Sequence, residues 1–360
     1  MNLLSNRASA ILHQAGFVAL DDLKTPWVER FMLYAGRTIP VVRTRLQQSD
    51  RWGTLKARWD IGRMHYKILP GLYAVGAPGP DSPVFVTGNY KMSFDALRSN
   101  LEGLNALILS LDTKGINVWC AAGKGSFGTD ELVSRIMNVK LAAIVTHRVL
   151  ILPQLGASGI SAPEVARRSG FRVQWGPVRA RDIPAWLAGG RVKTDAMREV
   201  TFTLRERMAI APVELVHTWP VIPLALVMAA LYALPADEAW RGRAFPAAIV
   251  LLGVLPVGTL LFPALLPWLP TKAFSAKGAF LGACWATLGS LLFHLPFLAA
   301  LGAIFIATPV VAFLGMNFTG STTFTCQPGA LIEVEKSFWP MSASLSMGLI
   351  LAIVSRLLGI

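Results

Sequence analysis

The spacing of apolar and polar positions divides the chain near residue 213. Before that point, short apolar runs alternate with longer segments whose apolar residues recur every three or four positions, as in strands followed by helices. Trp27 to Leu33 reads as helical, and Trp52 to Tyr73 mixes aromatic, basic and aliphatic residues in the manner of strands. Gly76-Ala-Pro-Gly-Pro-Asp-Ser-Pro83 is a turn-rich break. Beyond it the spacing predicts strands at Val84–Thr87, Ala106–Leu111, Leu141–Val145, Val149–Leu152 and Phe171–Trp175. Helices are predicted at Met92–Leu104, Thr129–Asn138, Ala162–Ser169 and, shorter, Ile183–Leu187. Such alternation implies an α/β, Rossmann-like and largely parallel sheet, which binds ligands at the loops beyond the carboxyl ends of its strands. That domain is expected over 81–200. An N-terminal extension and strand-rich lead-in (1–80) precede it, and a juxtamembrane linker (201–212) follows.

After residue 212 apolar stretches run over about 213–234, 244–266, 276–316 and 341–360. A bilayer span needs about 20 residues, so the third is read as two helices, 276–295 and 297–316, joined at His294-Leu295-Pro296. The expectation is an all-α transmembrane bundle of about five helices. The basic segment holding Arg191, Lys193, Arg198, Arg205 and Arg207 places its own side inside. Met1 to Arg30 has no uninterrupted apolar stretch followed by a small-residue cleavage site. The reading is a multi-pass protein of the cytoplasmic membrane, with its N-terminal domain in the cytoplasm and Ile360 outside. The loop Asn317–Phe338, with Cys326, would lie inside and pack on the soluble domain or a partner.

Composition agrees with this division, since 53% of the residues are hydrophobic and only 15% charged, against about 25% in an average soluble domain. Charge is uneven too: 28 of the 34 Lys and Arg and 16 of the 21 Asp and Glu precede residue 213, giving that part a net +12. Its basic residues are dispersed and carry no nucleic-acid-binding signature, and a domain tethered beside an anionic leaflet accounts for them more simply. Nucleic acid is therefore not an expected partner. Cys120, Cys284 and Cys326 are too few and too scattered for a disulfide framework, a zinc site or a four-cysteine cluster.

The segment richest in chemistry is Asp112-Thr-Lys-Gly-Ile-Asn-Val-Trp-Cys-Ala-Ala-Gly-Lys-Gly-Ser-Phe-Gly-Thr129, between a buried strand and a helix. Gly123-Lys-Gly125-Ser-Phe-Gly128 fits the dinucleotide pattern, but the acidic residue due about 20 positions later is replaced by Thr146-His147-Arg148. A phosphate-binding P-loop fails as well, because Gly125 follows Lys124 where Ser or Thr belongs.

Asn117-Val-Trp-Cys-Ala-Ala-Gly-Lys124 instead resembles the cap-helix signature of the membrane-bound corrinoid protein of the two-protein mercury-methylating system. Pro70–Ala74, Val86–Tyr90, Ile151–Gly156, Gly176–Pro184 and Gly315–Gly320 are also similar to segments of that family, so the resemblance covers about residues 55–360. The soluble half is similar as well to the large subunit of the corrinoid iron–sulfur protein of acetyl-CoA synthesis. Against that relative, this chain lacks a four-cysteine motif and adds an apolar C-terminal part.

The resemblance implies a corrinoid cofactor with Cys120 on the cobalt. It further implies methyl transfer from cobalt to mercury(II), a methyl group drawn from methyltetrahydrofolate, and a ferredoxin-like partner with two 4Fe–4S clusters. The alternative is a membrane-anchored corrinoid methyl carrier of one-carbon metabolism. Physically, a soft thiolate is a strong donor to cobalt, and the dipole of a short helix favours it near the N-terminus. Ala121, Ala122 and Gly123 are small enough to let the backbone lie flat on a planar ligand. Trp119 either walls the ring edge or packs in the core, and Lys124 either meets the ring substituents or is solvated. Asn117 and Val118 belong to the same cap. Thr87 and Asn89 end a strand on the ligand side, either touching the cofactor or forming a turn. Gln154, Gly156, Gly176 and Arg179 are expected around the cofactor from the similar segments. His147, His294 and Cys284 read as structural, and a mercury-handling role for Cys326 stays open.

Overall fold

The computed structural model describes residues 25–218, 223, 238–322 and 327–358. The chain divides into one unit of residues 1–57 and 61–200 and a second of 58–60 and 201–360. The first is built on a seven-stranded sheet of order β1-β2-β3-β5-β4-β6-β7, comprising β1 (Val28–Tyr34), β2 (Arg37–Val42), β3 (Gly71–Val75), β4 (Val84–Gly88), β5 (Ala106–Leu111), β6 (Val149–Leu152) and β7 (Arg172–Trp175). β5, β4, β6 and β7 are mutually parallel, so the expected sheet is present. At its other side β3 runs antiparallel to β5, and β1 and β2 form an antiparallel hairpin.

β4 and β5 are buried along their whole length, and successive residues feed opposite cores. Val84, Val86, Leu107 and Leu109 join one, and Phe85, Ala106 and Ile108 join the other. This is the side-chain alternation of a strand covered on both faces. The first core is closed by α3 (Val118–Gly123), α4 (Thr129–Asn138) and α5 (Ala162–Ser169), whose buried residues include Ala121, Leu132 and Val165. The second is closed by α2 (Lys91–Arg98) and α6 (Ile183–Ala188), through Phe94 and Trp186.

Several expectations are corrected. Within the stretch Trp27–Leu33 the chain is strand from Val28 rather than helix, because Ala35 and Gly36 both take positive φ (49° and 72°) and close a two-residue hairpin pairing Tyr34 with Arg37. The stretch read as strands from Trp52 begins inside α1 (Gln48–Arg58) and becomes strand only at Gly71. Its helical face is Asp50, Gly53 and Ala57, with Asp50 and Ala57 buried and Gly53 so close to the Tyr66 ring that a Cβ would lie 2.5 Å from it. Leu141–Ala143 is a 3-10 turn, and α2 stops at Arg98 instead of Leu104. β1, β2 and β3, which fall within the expected lead-in, belong to the same sheet as β4–β7.

In the second unit, α7 (Leu204–Met208) and α8 (Ala211–His217) precede α9 (Glu238–Leu252), which runs on through a π-helical stretch at Val257–Leu261 to Leu265. α10 (Phe274–Leu292), α11 (Phe297–Asn317) and α12 (Gln327–Leu357) follow. Among the described residues three segments are long and apolar enough to cross a membrane: Phe245–Leu265, Phe297–Asn317 and Gly329–Leu357. The expected spans at 244–266, 297–316 and 341–360 thus have counterparts among the described residues. The expected span at 213–234 lies mostly outside the described residues. The one at 276–295 corresponds to α10, diluted by Lys277, Ser290 and a set of glycines. Those glycines serve packing: a Cβ on Gly278 would lie 2.5 Å from the Val311 carbonyl and one on Gly282 2.7 Å from the Ala307 carbonyl. Small residues let membrane helices approach this closely. The expected loop Asn317–Phe338 is helical from Gln327 onward, and Cys326 lies outside the described residues.

Candidate functional site

The parallel strands are wound outward from β4, to β5 on one side and to β6 and β7 on the other. The chain therefore reverses direction between β4 and β6, and ligands in such sheets bind at that switch point, beyond the strand carboxyl ends. A cavity of about 230 Å³ lies there, lined among others by Thr87, Val118, Pro153, Leu155, Gly176 and Pro177.

α3 is held in place from below by Asn89. This side chain is buried and engaged throughout: its Nδ2 donates to Asp112 Oδ1 at 3.1 Å. Its Oδ1 accepts from Thr113 N, Thr113 Oγ1 and Gly115 N, each at 3.0 Å. The Asp112 N–H donates to Glu131 Oε1 at 2.8 Å, tying the same loop to α4. Asn117 then caps α3, its Oδ1 accepting from Cys120 N at 3.0 Å while its Nδ2 donates to Cys120 Sγ at 3.4 Å. One amide thus fixes the helix start and supplies a donor to the sulfur.

The helix has two faces. Ala121 and Ala122 are buried in the core, and a Cβ on Gly159 would lie 2.9 Å from Ala122 Cα, so their small size serves packing inside the domain. Trp119 and Cys120 are partly exposed, Gly123 and Lys124 are exposed, and a Cβ on Gly123 would meet nothing within 4 Å. Gly125 (φ 80°) and Gly128 serve the turn into α4, where a Gly128 Cβ would lie 2.6 Å from the Gly125 carbonyl.

Of the expected cofactor residues, the cavity brings together Thr87, Val118 and Gly176. Asn117, Trp119, Cys120, Gly123 and Lys124 lie along α3 and its two caps, partly or fully exposed. Asn89 positions the loop beneath. Gly156 is buried against Phe127, whose ring a Cβ would approach to 2.5 Å. Gln154 Oε1 accepts from Lys193 Nζ at 2.5 Å, and Arg179 is partly exposed. His147 is structural: Nε2 lies 2.8 Å from the Ser82 carbonyl and Nδ1 accepts from Val149 N at 3.3 Å. Cys284 is exposed on α10 rather than packed. Lys193, which in the sequence is only part of a basic segment, also reaches the Gly176 carbonyl at 3.4 Å. Burial, and then the nearby Arg198 charge, push its ammonium below the usual lysine range.

The residues can be tested against a corrinoid. Among the described residues no group of three or more His, Cys, Asp or Glu could hold a metal ion, so a bare ion has no cage here. A single accessible thiol with an amide donor on its sulfur suits a metal whose other positions a macrocycle already fills. The cavity is smaller than the roughly 300–1,000 Å³ of ordinary ligand clefts, so it suits a ring edge or side arm. The site fits.

Residues 63–187 match the sequence model of the family described as CO dehydrogenase/acetyl-CoA synthase delta subunit. The match stops short of the apolar helices. Among curated proteins the chain is 33% identical over 139 residues to acetyl-CoA decarbonylase/synthase complex subunit gamma of Archaeoglobus fulgidus, covering 37% of this chain and 29% of that one. The subunit gamma of Methanopyrus kandleri is 28% identical over 123 residues (34% and 26%). That of Methanocaldococcus jannaschii is 34% identical over 93 residues (25% and 19%). The chain therefore spans under a third of the length of these relatives. The model names a delta subunit and the relatives a gamma subunit; what the two names share is acetyl-CoA synthase machinery.

Proposed function

We propose that this chain is a membrane-anchored, corrinoid-dependent methyltransferase that forms methylmercury from mercury(II). The observation carrying the proposal is Cys120: a partly exposed thiol on α3, with the Asn117 amide on its sulfur, two residues from Val118, which lines the switch-point cavity. When bound, the corrinoid supplies a cobalt centre able to receive and give up a methyl group. Cys120 would hold that cobalt through sulfur, a soft ligand suited to the metal. Asn117 orients the sulfur, Ala121 and Ala122 root the helix in the core, and Gly123 leaves the outer surface flat. Thr87, Val118 and Gly176 shape the cavity that would receive part of the cofactor, and Trp119 and Lys124 would meet it from α3.

The methyl group would come from methyltetrahydrofolate, and a ferredoxin-like protein with two 4Fe–4S clusters would return the metal to its low-valent state. The similarity to acetyl-CoA synthase subunits favours a second reading, a corrinoid methyl carrier of one-carbon metabolism. One experiment separates them: the purified full chain is loaded with corrinoid and given methyl donor, reductant and mercury(II). Methylmercury from the native chain, and none from Cys120→Ala with the protein still folded, is the expected result. Methylation of the bound cofactor without methylmercury would leave the carrier reading, and full activity in Cys120→Ala would overturn the mechanism.

A further inference from the structure

Lys193 reaches the Gly176 carbonyl, at a residue lining the cavity, and has no carboxylate partner among the described residues. Its Nζ donates to Gln154 Oε1 at 2.5 Å and, more distantly, to the Gly176 carbonyl at 3.4 Å. Both acceptors are neutral, and Gly176 itself lines the cavity. Among the described residues Lys193 makes no ion pair with a carboxylate, although it is only partly exposed and Arg198 adds positive potential. A lysine ammonium has three N–H donors, and the two short-range partners leave one to be placed. A partly buried ammonium whose protein partners are both neutral is a ready charge-assisted donor to an anionic group supplied from outside. The two loops it touches follow β6 and β7, whose carboxyl ends hold the side of the cavity away from β5.

We infer that Lys193 binds the phosphodiester of the nucleotide tail that a complete corrinoid carries, while α3 attends to the metal. The inference rests on the corrinoid reading above and assigns that reading's cavity to the tail end of the ligand. Gln154 and the Gly176 carbonyl hold the ammonium in place until the phosphate arrives. Charge, rather than the length of the side chain, is then the property that matters.

The test uses the full chain in nanodiscs, and affinity is read by absorbance titration with three ligands. Cobalamin carries phosphate and base, cobinamide phosphate carries phosphate without base, and cobinamide carries neither. Lys193→Met should weaken cobalamin and cobinamide phosphate by roughly 10-fold or more, the loss of one charge-assisted hydrogen bond, and leave cobinamide unchanged. Lys193→Arg should keep most of the phosphate-dependent affinity. Equal losses for all three ligands would make Lys193 a brace between two loops and overturn the assignment while leaving the corrinoid reading intact. Unchanged affinity for all three would overturn it likewise. Failure of the native chain to bind any of the three would remove the corrinoid reading and this inference together.

Discussion

Asn117 performs two tasks that a substitution can separate. Its oxygen caps α3 and its nitrogen donates to Cys120 sulfur. Aspartate keeps the capping acceptor, loses the donor and sets a negative charge beside the thiolate. Asn117→Asp should leave the fold unchanged and weaken corrinoid binding by roughly 10–100-fold, the range for a hydrogen bond to a charged group. Asn117→Ala also loses the cap, at about 1 kcal/mol, so its melting temperature should fall as well. Native-like affinity in Asn117→Asp would show that the amide does not serve the sulfur. The two faces of α3 make a parallel contrast. Leu at Ala121 or Ala122 overpacks the core and should cost about 1–3 kcal/mol of stability. Leu at Gly123 projects into open space, so stability should hold while cofactor affinity drops. A Gly123→Leu chain that binds corrinoid normally would mean that the outer face of α3 does not meet the ring.

At the scale of elements, α1 and α2 are joined by a buried quartet. Lys91 Nζ lies 2.7 Å from Asp50 and 2.6 Å from Asp95, and Arg98 lies 2.9 Å from Asp50 and 2.7 Å from Asp95. Burial pushes the Asp50 carboxyl up, but hydrogen bonds from Lys91 and the Gln47 N–H and the charges of Lys91 and Arg98 outweigh it. The carboxyl is held below its ordinary value of 3.8. A depressed folded-state value means that the stabilisation is complete above 3.8 and disappears as pH falls through the lower folded value. Hydrogen exchange of the β4 and β5 amides should therefore report constant stability from neutral pH to about 5 and a decline below about 4. Asp50→Asn should lose about 3–5 kcal/mol at neutral pH, as when one partner of a buried pair is removed, and show a shallower acid decline. An undiminished acid slope in that variant would place the sensitivity elsewhere.

The quartet also marks where sequence reading stopped. The β4–β7 core was legible because wholly buried strands read as continuous apolar runs, and the cap because its eight residues are distinctive. α1 was not, because its inner face is Asp50, Gly53 and Ala57, which only tertiary partners make interior positions. β1 and β2 were missed because Ala35, unlike Asn or Gly, does not advertise a positive φ. Lys193 was hidden because a lysine that serves a cavity and one that serves topology look alike along a chain.

For the whole molecule the open quantity is the number of crossings. α11, α12 and the segment ending at Leu265 are long and apolar enough to cross. α10 falls short on composition, yet its glycines bring it against the α11 backbone at Val311 and Ala307. A helix packed along a spanning helix, and joined to it at Phe293–Pro296 by a turn that His294 enters with φ 51°, has its own ends near the same two surfaces. We therefore expect α10 to cross. With a further span over 213–234 the loop 266–273 is inside, the His294 turn outside and Cys326 inside. An impermeant thiol reagent on intact cells should label His294→Cys and spare both Lys272→Cys and native Cys326. The native chain supplies the background from Cys284, which is exposed on α10. Labelling of Lys272→Cys together with His294→Cys would show that α10 turns back without crossing. Labelling of Cys326 and Lys272→Cys with His294→Cys spared would invert every crossing and remove the span at 213–234 from the count.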